Sequence, residues 1–261
     1  MSQTYRILFL GDVVGRPGRE AVLKHLQRLK SKYKANVVIV NGENAASGQG
    51  ITPAIATDIF DVGADAITLG NHWYRKREIG EYLNSKKPIV RPANLPDACP
   101  GRGMTIIQHG SIKIAVINAL GRVYMDAADD PFPVLDQLVN EAGTPHIFVD
   151  FHAEATSEKK AVGYFLDGRV TAVVGTHTHV QTADEIVLPG GTAYITDVGM
   201  CGPEPSVLGV QKELVIKRFL TSLPAKFEVA SEPSVICGVV IDVQKETGRA
   251  NSIERICVSG E

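Results

Sequence analysis

Four of the chain's seven histidines stand just after short apolar runs, beside other side chains able to bind a cation. Ile7-Leu8-Phe9-Leu10-Gly11 ends in Asp12, and Val37-Val38-Ile39-Val40 leads into Asn41-Gly42-Glu43-Asn44. Ala66-Ile67-Thr68-Leu69-Gly70 ends in Asn71-His72. Ile147-Phe148-Val149-Asp150-Phe151 ends in His152 with Glu154 beyond, and Val173-Val174-Gly175-Thr176 ends in His177-Thr178-His179. Singly, each has an ordinary reading; Asp12 alone is a turn or helix-cap residue. Together, five strand ends bring Asp, Glu, Asn and His to one edge of a sheet, where α/β proteins bind ligands. In His177-Thr178-His179, alternate residues of an extended segment are expected to point to one side, which gives two imidazoles facing the same way. His25, His109 and His146 lack this setting and read as surface or structural residues.

The donor types narrow the chemistry. Carboxylate, amide and imidazole without thiolate favour manganese, iron, zinc, cobalt or nickel over copper(I) or an iron–sulfur cluster. Asp12, Glu43, Asn44, Asn71, His152, His177 and His179 are too many donors for one tetrahedral zinc. They suit two ions about 3.5–4 Å apart that share a carboxylate, an arrangement that clamps the attacking and leaving oxygens in phosphoester hydrolysis.

Such a site needs strands that end at one edge. The runs Arg6 to Leu10, Asn36 to Val40, Ala66 to Leu69, Ile112 to Asn118, His146 to Phe151, Thr171 to Val174 and Thr192 to Thr196 all read as buried strands. Between them, Arg19 to Lys34 carries Val22, Leu26 and Leu29 near helical spacing. Thr52-Pro53 predicts an N-cap and first helical residue for Ala54 to Phe60. Pro131 to Ala142, Ala155 to Leu166 and Val210 to Leu220 are further helices, so strands and helices alternate and an α/β fold follows. Lys226 to Ala230, Val235 to Val243 and Ser252 to Val258 read as adjacent antiparallel strands. They predict a mixed sheet, or two sheets packed between helices. Residues 1–261 hold no internal repeat or Pro/Gly/Ser-rich linker, and one domain is expected.

Composition excludes several classes. The 261 residues are 44% hydrophobic with a net charge of −2 and no block of like charge, so no extended nucleic-acid surface or anionic-membrane surface is indicated. Cys99, Cys201, Cys237 and Cys257 are widely spaced, with no Cys-x-x-Cys pair, as in a reducing compartment. Cys201 is expected to be a packed thiol. No signal-peptide pattern and no spanning apolar stretch is present, so a cytoplasmic protein is expected. Arg16, Arg19, Lys159 and Lys160 read as solvated surface.

Gly11-Asp12-Val13-Val14-Gly15-Arg16-Pro17-Gly18, Asn41-Gly42-Glu43-Asn44-Ala45-Ala46, Gly70-Asn71-His72, Arg91-Pro92-Ala93-Asn94, Asp150-Phe151-His152-Ala153-Glu154, Gly175-Thr176-His177-Thr178-His179 and Asp197-Val198-Gly199-Met200 occur in this order between Ile7 and Leu208. This series resembles the calcineurin-like metallophosphoesterases, in the variant of the bacterial YmdB-type phosphodiesterases. Val14 and Glu43 stand where the broader superfamily has a histidine and a bridging aspartate, as in that branch. Trp73-Tyr74-Arg75 departs from the branch's usual Thr-Trp-Asp at the rim. The resemblance implies a four-layer α/β/β/α sandwich of two mixed sheets flanked by helices. It implies that Asp12 and His179, with Asn44 nearby, bind one metal; Asn71, His152 and His177 bind the other; Glu43 bridges them; and His72 is the catalytic acid. The ions implied are iron or alternatively manganese, with zinc or magnesium compatible. The substrate implied is a small 2′,3′-cyclic nucleotide opened to the 3′-nucleotide. Another phosphodiester, a phosphomonoester, a 3′,5′-cyclic nucleotide or a non-catalytic metal and nucleotide regulator are the alternatives, and a homo-oligomer is compatible. Tyr74, Tyr124 and Phe132 are aromatic candidates to stack on a base, with plain packing as the expected role.

Overall fold

The structure, a computed structural model, describes residues 3–231 and 233–260. The chain opens with β1 (Thr4–Leu10), β2 (Asp12–Val13), α1 (Gly15–Lys32) and β3 (Val37–Asn41). Next come α2 (Pro53–Asp61), β4 (Ala66–Thr68), α3 (Ile79–Leu83) and β5 (Ile89–Val90). The paired β6 (Met104–His109) and β7 (Ile112–Leu120) lead to α4 (Pro131–Glu141), β8 (Ile147–His152), α5 (Thr156–Phe165) and β9 (Ala172–Thr176). Then follow β10 (Ile186–Val187), β11 (Ala193–Ile195), β12 (Met200–Pro203), α6 (Lys212–Thr221), β13 (Ser234–Gln244) and β14 (Ala250–Ser259).

Two mixed sheets result. One runs β2-β12-β13-β1-β3-β4-β5 with β14 paired to β13, and the other β10-β11-β9-β8-β7-β6. Strand alternation explains the layers. In β1, Leu8 and Leu10 join Val22, Leu26 and Leu29 of α1 and Ile59 of α2 in one apolar cluster. Ile7 and Phe9 face the other way, into a cluster with Val116, Phe148 and Val174 of the second sheet. The outer face of that second sheet, with Ile117, Val149 and Phe151, packs on Leu135 of α4 and Val162 of α5. Three apolar clusters thus separate four layers in the order α/β/β/α. The Phe9 and Phe148 rings meet 5.1 Å apart between the sheets, and burying each contributes roughly 1.5–3 kcal/mol.

The expected N-cap holds: the Thr52 hydroxyl accepts from Ile55 N at 3.3 Å, with Pro53 opening α2. Helix α1 starts four residues before the expected Arg19, with Pro17 in its first turn, where a missing N–H costs nothing. The hairpin β13–β14 is antiparallel as expected. Lys226 to Ala230 is not a strand; only Val229 forms an isolated bridge, to Val210. Lys226, Phe227 and Glu228 are exposed, so the alternation in that stretch has no sheet face to bury. Among the described residues, no helix is long and apolar enough to cross a membrane.

Candidate metal centre

The parallel registers bring the expected strand ends level. Leu10 pairs with Val40 and Asn41 with Thr68 in the first sheet. In the second, His152 pairs with Thr176. Asp12, Glu43, Asn44, Asn71, His72, His152, His177 and His179 consequently meet at one end of the sandwich, contributed by both sheets.

At the middle, Glu43 Oε1 lies 3.2 Å from His152 Nε2 and 3.1 Å from His72 Nδ1. Glu43 Oε2 accepts from the His72 backbone N–H at 3.1 Å. His152 Nε2 also faces Asn71 Oδ1 and His177 Nδ1, each at 3.1 Å. On the other side, Asn44 bridges His72 and His179. Its Oδ1 lies 2.8 Å from His72 Nδ1, and its Nδ2 lies 3.1 Å from His179 Nε2. Asp12 Oδ2 accepts from His177 N at 3.2 Å, while Oδ1 is 3.9 Å from His179 Nε2.

Hydrogen bonds fix the ring tautomers, and the tautomers test whether a cation fits. Thr176 Oγ1 donates to Asp150 Oδ1 at 2.7 Å, so toward His152 Nδ1 at 2.8 Å it accepts. His152 therefore carries its proton on Nδ1 and presents a lone pair at Nε2. His177 Nε2 faces Glu154 Oε2 at 3.1 Å, which places its proton there and its lone pair at Nδ1. His179 Nδ1 meets Leu208 O at 3.0 Å, leaving Nε2 as the lone pair. With His152 neutral, the lone pairs of His152 Nε2, His177 Nδ1, Glu43 Oε1 and Asn71 Oδ1 point at one another, a repulsion relieved either by a proton on His152 Nε2 or by a cation among them. Glu43 and Asp12 are fully buried; Asp12 Oδ1 has no hydrogen-bond partner, and Glu43 Oε1 meets only the ring nitrogens of His72 and His152. A buried carboxylate oxygen without a partner is costly, and a cation satisfies it. The ligand atoms of Glu43, His152 and His177 lie within 4.8 Å of one another, which suits one ion. Asp12 Oδ1 and Asn44 Nδ2 lie 3.9 and 3.1 Å from His179 Nε2, a second cluster of polar atoms.

The electrostatics fit as well. Burial opposes charge on Glu43, but His152 and His72 outweigh it and hold the carboxyl well below its usual range. Burial likewise opposes charge on His152, yet Glu43, Asp12 and Asp150 raise it to about 9. Burial and then the adjacent His152 push His177 down to about 3. Burial raises Asp12 despite His179 and His152. Without a metal, the charge on His152 offsets that of Glu43, and a bound cation would take that place.

His177 and His179 do not lie on an extended segment. Their φ values are 100° and 66°, and β9 ends at Thr176. His177 Nδ1 turns to His152 and His179 Nε2 to Asn44, because the chain bends rather than alternates. Non-glycine residues in this region cost on the order of 1–3 kcal/mol. The bend is held by Thr178 N–H donating to Asp197 Oδ2 at 3.0 Å.

Three groups behind the site were not in the sequence-derived set. Asp150 is fully buried and accepts from Asn41 Nδ2 at 2.9 Å as well as from Thr68 and Thr176. Burial lifts its carboxyl to about 6. Asp197 pairs with Lys159 at 2.8 Å, with both side chains buried. Lys159 is therefore not solvated surface; the polar pattern of α5 hides a lysine that reaches inward. Arg19 is half-buried and donates to Ala45 O on the loop after Glu43, whereas Arg16 is exposed and pairs with Glu20 at 2.6 Å. Lys160 meets Asp184 at 3.5 Å. Cys201 is a packed thiol, as expected.

A cavity of about 270 Å³ opens on the centre, lined by Glu43, His72, Glu154, His177, His179, Leu208 and Val229 among others. Trp73, Tyr74 and Arg75 do not line it; Trp73 packs on the first apolar cluster, with Tyr74 4.9 Å from its ring. Phe132, on α4, packs against the third apolar cluster, and Tyr124 is exposed rather than packed.

This sandwich and site define a hydrolase of phosphoesters of the metallophosphoesterase type. The chain belongs to the YmdB-like protein family, which matches residues 8–256. It is 52% identical over 258 residues to a 2′,3′-cyclic-nucleotide 2′-phosphodiesterase of Bacillus subtilis (strain 168), with 98% of both chains covered. The crystal structure of a novel phosphatase from Mycoplasma pneumoniae superposes with a TM-score of 0.93 at 38% identity, over 99% of this chain and 95% of that one. A putative 5′-nucleotidase of Staphylococcus aureus, 16% identical, shares the fold with a TM-score of 0.58 over 96% of this chain and 54% of that one.

Proposed function

We propose that the chain opens 2′,3′-cyclic nucleotides to 3′-nucleotides at a two-metal centre. In this reading Glu43 would bridge the two ions, with Asp12, Asn44 and His179 holding one and Asn71, His152 and His177 the other. The nitrogen and oxygen donors without thiolate support iron or manganese, with zinc and magnesium as alternatives. Such ions, when bound, lower the pKa of water and neutralise phosphoryl oxygens. The reading places the protein in the cytoplasm as one domain, and the B. subtilis relative supports the substrate class.

The observation that carries the mechanism is the setting of His72. Its Nδ1 is held 2.8 Å from Asn44 Oδ1 and 3.1 Å from Glu43 Oε1, at the edge of the cavity. Those contacts engage Nδ1 and leave Nε2 facing the cavity to carry the transferable proton. As the P–O2′ bond breaks, His72 gives that proton to O2′, while the oxygen of a water bonds to phosphorus, the water's proton is released to solvent to restore His72, and O3′ remains esterified. Glu154, on His177 Nε2, keeps the His177 tautomer that turns Nδ1 inward.

His72→Asn tests this. Turnover of a 2′,3′-cyclic nucleotide should fall by about 10²–10⁴-fold, the usual worth of a general acid, with bound metal unchanged by elemental analysis. Hydrolysis of bis(p-nitrophenyl) phosphate, whose leaving group needs no proton, should fall far less. Equal loss on both substrates would remove His72 as the acid. Metal-loaded protein that opens no cyclic nucleotide would remove the substrate class.

A further inference from the structure

The cavity at the metal centre, about 270 Å³, lies below the ~300–1,000 Å³ usual for a small-molecule site. It has room for a phosphodiester and part of a sugar. A second cavity of about 610 Å³ adjoins it, lined by Arg16, Arg19, Ser47, Lys226, Phe227 and Glu228 among others. Val229 lines both. Val229 packs so closely on the start of α1 and on the ligand loop that a Cβ on Gly15 would meet its Cγ1 at 2.7 Å, and one on Gly48 its Cγ2 at 3.0 Å. It is a thin partition with the metal centre on one side and three cationic side chains on the other.

Among the described lining residues, those cations face one acid, Glu228. Arg19 is anchored by its bond to Ala45 O, on the same loop as Glu43 and Asn44. Arg16 and Lys226 are exposed and free to reorient onto a ligand, although Arg16 now rests on Glu20. In a chain with a net charge of −2, three cations around one cavity beside a phosphoester site are placed for a second anion. Phe227 offers an apolar face there.

We propose that this second cavity binds a further phosphate of the substrate, on the 5′ side of the cyclic ester. The preferred substrates are then 5′-phosphorylated cyclic nucleotides, or short oligonucleotides ending in a cyclic phosphate, over the bare 2′,3′-cyclic nucleoside monophosphate. This rests on the phosphoester site proposed above and extends it by one binding position.

Equilibrium binding separates the two ideas. Adenosine 3′,5′-bisphosphate should bind the metal-loaded protein at least about tenfold more tightly than adenosine 3′-monophosphate, as expected for one added charge-assisted contact. In the double variant Arg16→Gln/Lys226→Gln, at exposed positions where folding is not at stake, the gap should close to within about twofold. Equal binding of the two ligands by the unaltered protein, or a gap that survives the double variant, overturns the proposal. Turnover of 5′-phosphorylated against 5′-hydroxyl 2′,3′-cyclic adenosine monophosphate should give the same ratio. If neither cyclic ester is opened but the binding gap appears and closes as stated, the second phosphate position stands and the substrate class falls. If both are opened at equal kcat/KM, the reverse holds.

Discussion

Lys159→Met removes one half of a buried ion pair while keeping most of the side chain's apolar stem. Lys159 Nζ and Asp197 Oδ2 are 2.8 Å apart, with 1% and 0% side-chain exposure. Removing one partner of such a pair costs about 3–5 kcal/mol, because the remaining charge is left without its counterion. Asp197 keeps two backbone donors, Thr178 N at 3.0 Å and Gly199 N at 2.9 Å. These partly solvate it and set the expectation near the lower bound, about 3 kcal/mol. At roughly 2–4 °C per kcal/mol for a chain of this size class, the melting temperature should fall by about 6–12 °C.

Urea denaturation of wild type, Lys159→Met, Asp197→Asn and the double variant closes a thermodynamic cycle. The double variant should be less destabilised than the sum of the singles, with a coupling of about 1–3 kcal/mol. Asp197→Asn should also weaken metal binding by about 10–100-fold, the usual effect of losing a group that orients ligands, because it loosens Thr178 between His177 and His179. A loss under about 1 kcal/mol for Lys159→Met, combined with additivity, would refute the claim that this pair braces the site.

Gly70→Ala should strip the centre of metal and destabilise the fold by about 1–3 kcal/mol, since a Cβ there would overlap Glu43 Oε2 and the His152 ring; full occupancy by elemental analysis would contradict this. Chelation should lower the melting temperature of wild type, because Asp12 Oδ1 is buried without a hydrogen-bond partner. A cation at 100 times its Kd stabilises by about 2.7 kcal/mol, so an unmoved transition after dialysis against chelator would count against a cation there. His146 lies 3.2 Å from Tyr5 Oη, and burial lowers its pKa. The unfolded chain therefore takes up the proton first as pH falls, so stability is full above the unfolded value near 6.5 and declines below it, by at most about 1.4 kcal/mol per pH unit. Denaturation midpoints measured from pH 7.5 to 5 should show a shallower decline in His146→Gln; parallel slopes would exclude His146 as a source.

The β-branched runs announced the central strands because both faces of each are buried, which leaves a continuous apolar signal. β5 and β10 escaped because two residues hold too little of a period to recognise, and β12 because Gly202 and Pro203 read as a turn. The donors at the strand ends could be read from position alone, whereas the bend at His177 to His179 could not. It is imposed by contacts to Asp12, Asp197 and Leu208, residues remote in sequence. Lys159 was misread for a related reason: Ser157, Glu158, Lys159 and Lys160 form a charged stretch, and only the position of Asp197 tells which of them turns inward.

Asp150 carries this reasoning furthest. It sits two residues before His152 on β8, in the second sheet, yet two of its partners, Asn41 and Thr68, lie on β3 and β4 of the first. Its third, Thr176, passes the constraint on to His152 Nδ1. Asn41 in turn accepts from the backbone N–H of Glu43 at 3.1 Å. One buried carboxylate therefore ties the Glu43 backbone and the His152 ring to a common anchor, across the gap between the sheets. Metal ions at this edge would join the same two sheets from the solvent side of that anchor. The distance between the ligand sets is then set by sheet packing rather than by loop conformation, which is why loops as irregular as 43–48 and 177–179 can hold donors in register.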